Sequence, residues 1–339
     1  MRQDSAMVMQ INPSKVPIWV SENTLQLGID EHSQRLDNLS NSQERLIQLL
    51  FEGVANDQVE VVANSVGLDL PEGLKLIELL RPSLVGSDVS AGSKNSNDAR
   101  FAELIRIGFQ TDQSPAEVLS KRSEYRIILP KLDRTGLTLI RALSELGFQN
   151  FESSDFSQVT ADDHGELGYP KSWSGVSKLV AANALLETEK SEVTLQPVKK
   201  PKLNRKSITA LSASHQLAPA EYQKLQTPHI AIEYRIDTID VSNIIEPGLI
   251  PCLACRALWA SDANSNWAPI AIQLAGRRDH LDDGANLLLA SAVACRNITD
   301  FTDFETHGSN WDLNLKSRKI TEPEPQFHPD CRCALASLK

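Results

Sequence analysis

The 339-residue sequence predicts an α/β protein: a doubly wound parallel sheet preceded by a small, winged-helix-like domain. Three observations support this prediction. Apolar runs with strand and helix periods alternate between residues 124 and 215, which is typical of a parallel sheet with crossover helices. Residues 1–85 contain two short strands followed by three amphipathic helices. All five cysteines lie after residue 251, in two close pairs and one single position, and this spacing indicates a metal site.

The N-terminal domain, residues 1–85, is defined by its turn and cap residues. Two strands, 16–20 and 24–29, flank a Ser21-Glu-Asn23 turn. Ser40 and Gln43 have the spacing of a capping box that begins a helix. Asp57 is expected to cap a second helix, and Pro71 to open a third. A hairpin followed by three short helices predicts a winged-helix-like domain.

The net charge of this domain limits the kinds of partner that it can bind. Residues 1–85 contain 6 Lys and Arg residues against 12 Asp and Glu residues, and the whole chain has a net charge of -10. DNA binding requires clustered cationic side chains that neutralise phosphates, so the acidic balance argues against nucleic acid. The remaining interpretations are a packing domain and a peptide-recognition domain.

Residues 86–120 are predicted to form a linker with one short helix, and residues 121–339 the larger domain. The linker begins with the Gly- and Ser-rich stretch 86–97, and its helix covers Phe101 to Ile107. A basic run between residues 199 and 206 is interpreted as a solvated loop. The larger domain has alternating elements: strand 125–129, helix 137–146, strand 150–154, helix 176–186 and strand 208–211; helix 218–225 and strands 229–234 and 238–245 follow, then helices 267–277 and 284–296.

The turn after the first strand of the larger domain resembles a nucleotide loop in its position but not in its composition. A dinucleotide loop needs three glycines so that backbone N–H groups can approach phosphate. Here Gly136 is present, but Lys131 and Asp133 occupy the other two glycine positions. Lys131 and Arg134 offer cations, and Asp155, after the second strand, has the place of a ribose-binding carboxylate. The sequence therefore predicts a degenerate nucleotide site at which ATP and Mg²⁺ do not bind.

The cysteine pairs predict a structural zinc site. Cys252 and Cys255 form one pair, Cys331 and Cys333 the second, and four thiolates complete a tetrahedral site without a position for water. His328 is an alternative ligand, and unliganded thiols are the alternative to a metal. Cys295 is expected in the core. No sequence motif predicts a catalytic nucleophile.

The N-terminus and the lengths of the apolar stretches predict a cytoplasmic chain. The N-terminus lacks the apolar core of a signal peptide, and no apolar stretch approaches the ~20 residues that a membrane span needs.

Several of these motifs occur in an order known from one superfamily. Asp155-x-Ser157-x-Val159 is followed by Lys178 at a helix start, by Glu246-Pro-Gly248 before Cys252-x-x-Cys255, and by a terminal His328-Pro-Asp-Cys331-x-Cys333. This order resembles the ThiF/MoeB-like, ubiquitin-activating-type superfamily. The segment from Pro251 to Trp259 is most similar to its divergent bacterial branch, the ThiF-like partner proteins of azoline-forming cyclodehydratases.

The resemblance implies a Rossmann-type domain, a homodimer and a role in ribosomal-peptide or bacteriocin biosynthesis. It implies that the winged-helix-like domain binds a leader peptide as an added strand, in a groove between residues 16–29 and 71–80. The protein would then present the peptide to an ATP-using partner enzyme. In the catalytic branch, ATP and Mg²⁺ adenylate the C-terminus of a small ubiquitin-like or sulfur-carrier protein, and Asp155 and Lys178 match ribose and phosphate positions. The Asn-x-x-Arg-Gln stretch expected after Val159 is absent here.

Three functions remain open on the sequence: a non-catalytic peptide-binding protein, an adenylyltransferase with an unusual phosphate loop, and a ThiF-like protein with an unrelated regulatory role.

Overall fold

The computed structural model describes residues 8–12, 15–29, 33–85, 103, 106–107, 115–189, 193–198 and 206–333. The chain forms two compact units, Met1–Ser120 and Lys121–Lys339. The predicted linker stretch 86–97, most of the 101–107 helix and the basic run except Lys206 lie outside the described residues. Within the described part, no helix combines the length and the apolar composition that crossing a membrane requires.

Up to residue 85, the described part of the first unit contains two small sheets and three α-helices. In chain order its elements are β1 (Val8–Ile11), β2 (Pro17–Ser21), β3 (Thr24–Leu27), β4 (Gln34–Leu36), α1 (Asn41–Glu52), β5 (Val54–Ala55), α2 (Val59–Ser65), α3 (Leu70–Leu80) and β6 (Leu84–Val85). The sheet orders are β5-β1-β6 and β2-β3-β4, and all pairs are antiparallel. The predicted hairpin therefore forms two of the three strands of this sheet, and the third strand, β4, was not predicted.

Helix caps explain where these helices begin. Ser40 and Gln43 make both bonds of the predicted capping box at the start of α1. Asp69 and Glu72 form a second box, so α3 begins one residue before Pro71. The prediction for Asp57 is wrong: it lies in a 3₁₀ turn and makes no side-chain cap to α2.

The second unit is built on an eight-stranded sheet. After α4 (Pro115–Ser123), which crosses the boundary between the units, its elements are β7 (Arg126–Leu129), α5 (Arg134–Glu145), β8 (Asn150–Ser153), α6 (Lys178–Thr188), β9 (Thr194–Pro197), β10 (Ser207–Ser214), α7 (Pro219–Tyr222), β11 (His229–Tyr234), β12 (Thr238–Val241), α8 (Leu253–Ala263), α9 (Trp267–Leu274), α10 (Gly284–Phe304), β13 (Trp311–Asn314) and β14 (Lys319–Thr321). The order is β14-β13-β12-β11-β10-β7-β8-β9. Strands β7 to β11 pair in parallel, which confirms the predicted mostly parallel sheet, whereas β12 to β14 extend it antiparallel.

Alternating side chains of the central strands bury both faces of the sheet. Ile230 and Ile232 of β11 join the large core formed with α5 and α10, while Ala231, between them, joins a smaller core beside Tyr222 and Leu253. Both faces of a parallel sheet are normally covered in this way. The carboxyl ends of the parallel strands are consequently left as the accessible edge, which is where ligands bind in open α/β sheets.

Candidate functional site

A cleft of about 290 Å³ lies at the carboxyl ends of β7, β8, β10 and β11. Four of the five predicted nucleotide-site residues line it, namely Lys131, Arg134, Asp155 and Lys178. The fifth, Gly136, lies in the first turn of α5, where a Cβ atom would come within 2.3 Å of the Lys131 carbonyl oxygen. The absence of a side chain at Gly136 is thus needed for the fold of the turn itself, whether or not a ligand binds.

The N-terminus of α5 faces this cleft and is capped by the chain itself. The Asp133 carboxylate Oδ1 accepts a hydrogen bond from the Gly136 backbone N–H at 2.9 Å. A helix N-terminus attracts anions because its first N–H groups have no partners within the helix. In this protein a side-chain carboxylate already occupies part of that anion site. The sequence identified Asp133 as a departure from the glycine pattern, but the cap also explains why the helix begins at Arg134.

Asp155 is held by the neighbouring loops. Its Oδ2 accepts the Leu132 backbone N–H at 2.8 Å, and its Oδ1 accepts both the backbone N–H and the hydroxyl of Ser157. Burial raises the pKa of Asp155, but these hydrogen bonds and the charge of Lys178 outweigh burial and lower it below 3.8. Asp155 is therefore ionised at neutral pH, and both of its oxygens have partners within the protein.

Lys178 is almost completely buried at the start of α6. Its Nζ lies 2.7 Å from Asp163 Oδ1 and 3.9 Å from Asp155 Oδ2. The Asp163 side chain is equally buried, and its second oxygen accepts the backbone N–H and the hydroxyl of Thr160. Lys178 thus has an internal counter-charge, which the sequence analysis did not identify.

Three more of the cleft's five Lys and Arg side chains, Lys131, Arg134 and Arg277, also have carboxylate partners. Lys131 donates to the Ser212 carbonyl at 2.8 Å and lies 2.7 Å from Glu221. Arg134 lies 3.7 Å from Asp282, and His215 lies 2.7 Å from Asp279. Asp279 and Asp282 belong to the segment between α9 and α10, which carries no sequence motif and was not predicted to reach the cleft. Seven Asp and Glu residues line the cleft against five Lys and Arg residues.

The four predicted zinc ligands come together at the start of α8. The sulfur atoms of Cys252, Cys255, Cys331 and Cys333 all lie within 4.8 Å of one another. The Cys252–Cys331 and Cys255–Cys333 pairs are 3.6 and 3.4 Å apart. Tetrahedral zinc with Zn–S bonds of 2.3 Å places its ligand sulfurs about 3.8 Å apart. The donor set and its spacing are therefore compatible with one structural zinc ion.

His328 supports this cluster from outside. Its Nε2 lies 3.0 Å from Asp262 Oδ2, its Nδ1 accepts the Asp330 backbone N–H at 3.1 Å, and its ring packs edge-on against Trp259. Its carbonyl accepts the Cys331 backbone N–H at 3.0 Å. His328 therefore orients the loop that carries Cys331, and both of its ring nitrogens have other partners. Cys295 is buried in the main core.

Comparisons with known proteins identify the fold. No family model and no curated protein matches the sequence. The microcin C7 biosynthetic enzyme MccB in complex with N-formylated MccA matches over 97% of this chain and 100% of its own, with a TM-score of 0.67 and 12% identity. A structure of E. coli MccB with ATP matches over 96% and 99%, with a TM-score of 0.66 and 12% identity. PaaA matches over 76% of this chain and 92% of its own, with a TM-score of 0.56 and 14% identity.

These similarities show that the chain shares the fold of MccB. The large, mostly parallel sheet is consistent with the predicted Rossmann-type architecture. At 12% identity the comparisons show the fold alone, and they do not distinguish the divergent partner-protein branch from the adenylating enzymes.

Proposed function

We propose that this chain is a ThiF-like peptide-binding protein that does not adenylate its ligand and that presents it to a separate modifying enzyme. The observation that carries the proposal is that key polar side chains of the cleft already have hydrogen-bond or ion-pair partners within the protein. Asp133 caps the helix N-terminus, Asp155 accepts three internal hydrogen bonds, and Lys178 is paired with Asp163. ATP would have to displace these contacts.

The charge of the cleft supports the same proposal. With seven carboxylates against five Lys and Arg side chains, the cleft is net negative when His280 is neutral. A nucleotide triphosphate carries several negative charges, and like charges a few ångströms apart repel at the effective dielectric constants of protein surfaces. Since Lys131 and Lys178 are paired with carboxylates, neither offers an uncompensated charge to phosphate.

The alternative is an adenylyltransferase that activates the C-terminus of a small ubiquitin-like or sulfur-carrier protein. The position of four predicted residues around one cleft, and the shared fold with MccB, whose structures include one with ATP, favour it. It requires Asp133 and Asp155 to exchange their internal partners for nucleotide and magnesium. A homodimer and a cytoplasmic location are proposed together with either function.

Peptide recognition is proposed for the first unit, with residues 1–85 as a winged-helix-like domain. MccB has been solved in complex with N-formylated MccA, which supports a peptide ligand for a chain of this fold. β3 is paired on both sides, so a peptide strand would add to an outer edge of the sheet. β4 is one outer strand, and its Gln34 contacts the Leu79 carbonyl and the Ser83 hydroxyl. We propose that the peptide groove extends from the predicted region between residues 16–29 and 71–80 to the edge between β4 and α3.

This groove makes a testable prediction for the full chain. Leu79 of α3 is 53% exposed beside β4, so Leu79→Lys should add a cation that repels basic peptides without disturbing the core. Selection from a phage-displayed peptide library is expected to enrich peptides with basic residues on the wild-type chain and to lose that enrichment, by at least about tenfold, on the variant.

Val61→Lys provides the control, because Val61 is 68% exposed on α2. It should leave the selection unchanged. Absence of any enriched peptide, or equal enrichment on the wild-type chain and Leu79→Lys, would contradict the groove.

A further inference from the structure

A second cavity of the larger unit lies beside the cysteine cluster. Residues 322–326, Glu-Pro-Glu-Pro-Gln, follow β14 and lead to His328 and Cys331. We name this stretch the strap. The strap crosses a cavity of about 400 Å³ that is walled by Trp259 and Trp311. Since the strap lies against this cavity, its conformation and composition indicate which kind of peptide segment the cavity can bind.

The strap has the composition of a polyproline II segment. Pro323 and Pro325 fix their own φ near −65° and restrict the residues before them to extended conformations. No helix or strand includes residues 322–328 in the structure. Such a segment enters a groove with little loss of conformational freedom because it is already extended when free.

Two side-chain donors hold the strap by its backbone carbonyls. The Asn310 Nδ2 donates to the Pro323 carbonyl at 3.1 Å, and the Trp259 indole Nε1 donates to the Gln326 carbonyl at 3.2 Å. These carbonyls are three residues apart, which is one turn of a polyproline II helix, so they face the same side of the segment. Donors from aromatic-lined grooves are used in this way to recognise proline-rich ligands.

The strap covers the cavity without filling it. All five of its residues are exposed, and about 400 Å³ remain between it and the walls. A segment with the same backbone pattern and bulkier side chains would bury more of Trp259 and Trp311. From these contacts we infer that the groove between Trp259 and Trp311 is a docking site for a proline-rich segment of a partner protein, which the strap occupies in cis. This inference does not depend on the groove proposed for the first unit.

The test uses a fluorescent peptide of the strap sequence, Thr-Glu-Pro-Glu-Pro-Gln-Phe, titrated into the full chain. In the wild-type chain the strap competes at an effective concentration on the order of millimolar, so binding should be weak. Replacing Pro323→Ala and Pro325→Ala together loosens the strap, and the peptide should then bind at least about tenfold more tightly.

Two controls test whether the peptide binds in this groove. A peptide with both prolines replaced by alanine should bind the loosened chain at least about tenfold more weakly than the parent peptide. Adding Trp259→Phe removes the indole N–H but keeps an aromatic ring, and it should also weaken binding. Zinc content and the melting temperature show whether each variant is folded.

If the loosened chain does not fold, the same question is answered in the wild-type chain. The NMR resonance of the Trp259 indole N–H should shift with excess proline peptide and not with the alanine peptide. Equal effects of the two peptides, no gain on loosening the strap in a folded chain, or unchanged affinity after Trp259→Phe would overturn the inference.

Discussion

Replacing Cys252 with serine is expected to abolish stoichiometric metal binding and to destabilise the larger unit. Four sulfurs within 4.8 Å of one another form a complete ligand set, and burial raises the pKa of Cys252 to about 11, so a bound cation is needed to hold Cys252 as a thiolate at neutral pH. Structural zinc contributes its binding free energy to folding, ~10–16 kcal/mol in zinc-finger peptides. Elemental analysis should therefore give about one zinc per wild-type chain and little in Cys252→Ser.

The stability of the variant provides the second readout. A loss of more than ~3 kcal/mol is expected, which corresponds to a fall in melting temperature of roughly 6 °C or more for a unit of this size. Cys295→Ala is the matched control, because Cys295 is buried in the core away from the cluster. It should cost stability through a cavity and keep the metal. Equal zinc content in the wild-type chain and Cys252→Ser would contradict the four-cysteine site.

Replacing Lys178 with methionine is expected to destabilise the protein strongly, by about 3–5 kcal/mol, because it leaves the buried Asp163 carboxylate without its counter-charge. Denaturant unfolding followed by circular dichroism measures this loss. A lysine whose role is to bind phosphate would behave differently, since its replacement would alter nucleotide binding and leave stability nearly unchanged.

The double variant Lys178→Met with Asp163→Asn separates charge from packing. Asparagine keeps an oxygen that can accept from Thr160 but carries no charge. The double variant should therefore recover a large part of the stability lost in Lys178→Met alone. If Lys178→Met costs less than about 1 kcal/mol, the buried pair is not the structural element proposed here.

Local patterns in the sequence were sufficient for much of the fold. The capping box at Ser40, the alternation that produces β7, α5 and β8, and the two cysteine pairs all depend on residues within a few positions of one another. The short strand β4 was not predicted because three residues are too few to show a strand pattern. Strand β9 was not predicted because its four residues show only weak alternation of apolar and polar side chains. Helix α8 was not predicted because the spacing of Cys252 and Cys255 indicated a metal-binding knuckle rather than a helix.

The contacts that decide function are long-range and could not be predicted in this way. Asp133 was identified only as a missing glycine, since its bond to Gly136 depends on where α5 begins. The pairing of Lys178 with Asp163 depends on a loop between them that has no motif. The strap over Trp259 depends on residues 67 positions apart in the chain. Sequence spacing does not encode such proximity.

The central claim, that the cleft is closed to nucleotide by its own side chains, is tested most directly by calorimetric titration of the full chain with ATP and Mg²⁺. E. coli MccB, which has been solved with ATP, is titrated alongside as the positive control. We expect no binding of ATP by this chain at concentrations up to about 1 mM; a dissociation constant of 1 mM corresponds to a binding free energy of roughly −4 kcal/mol. Micromolar affinity for ATP would contradict it.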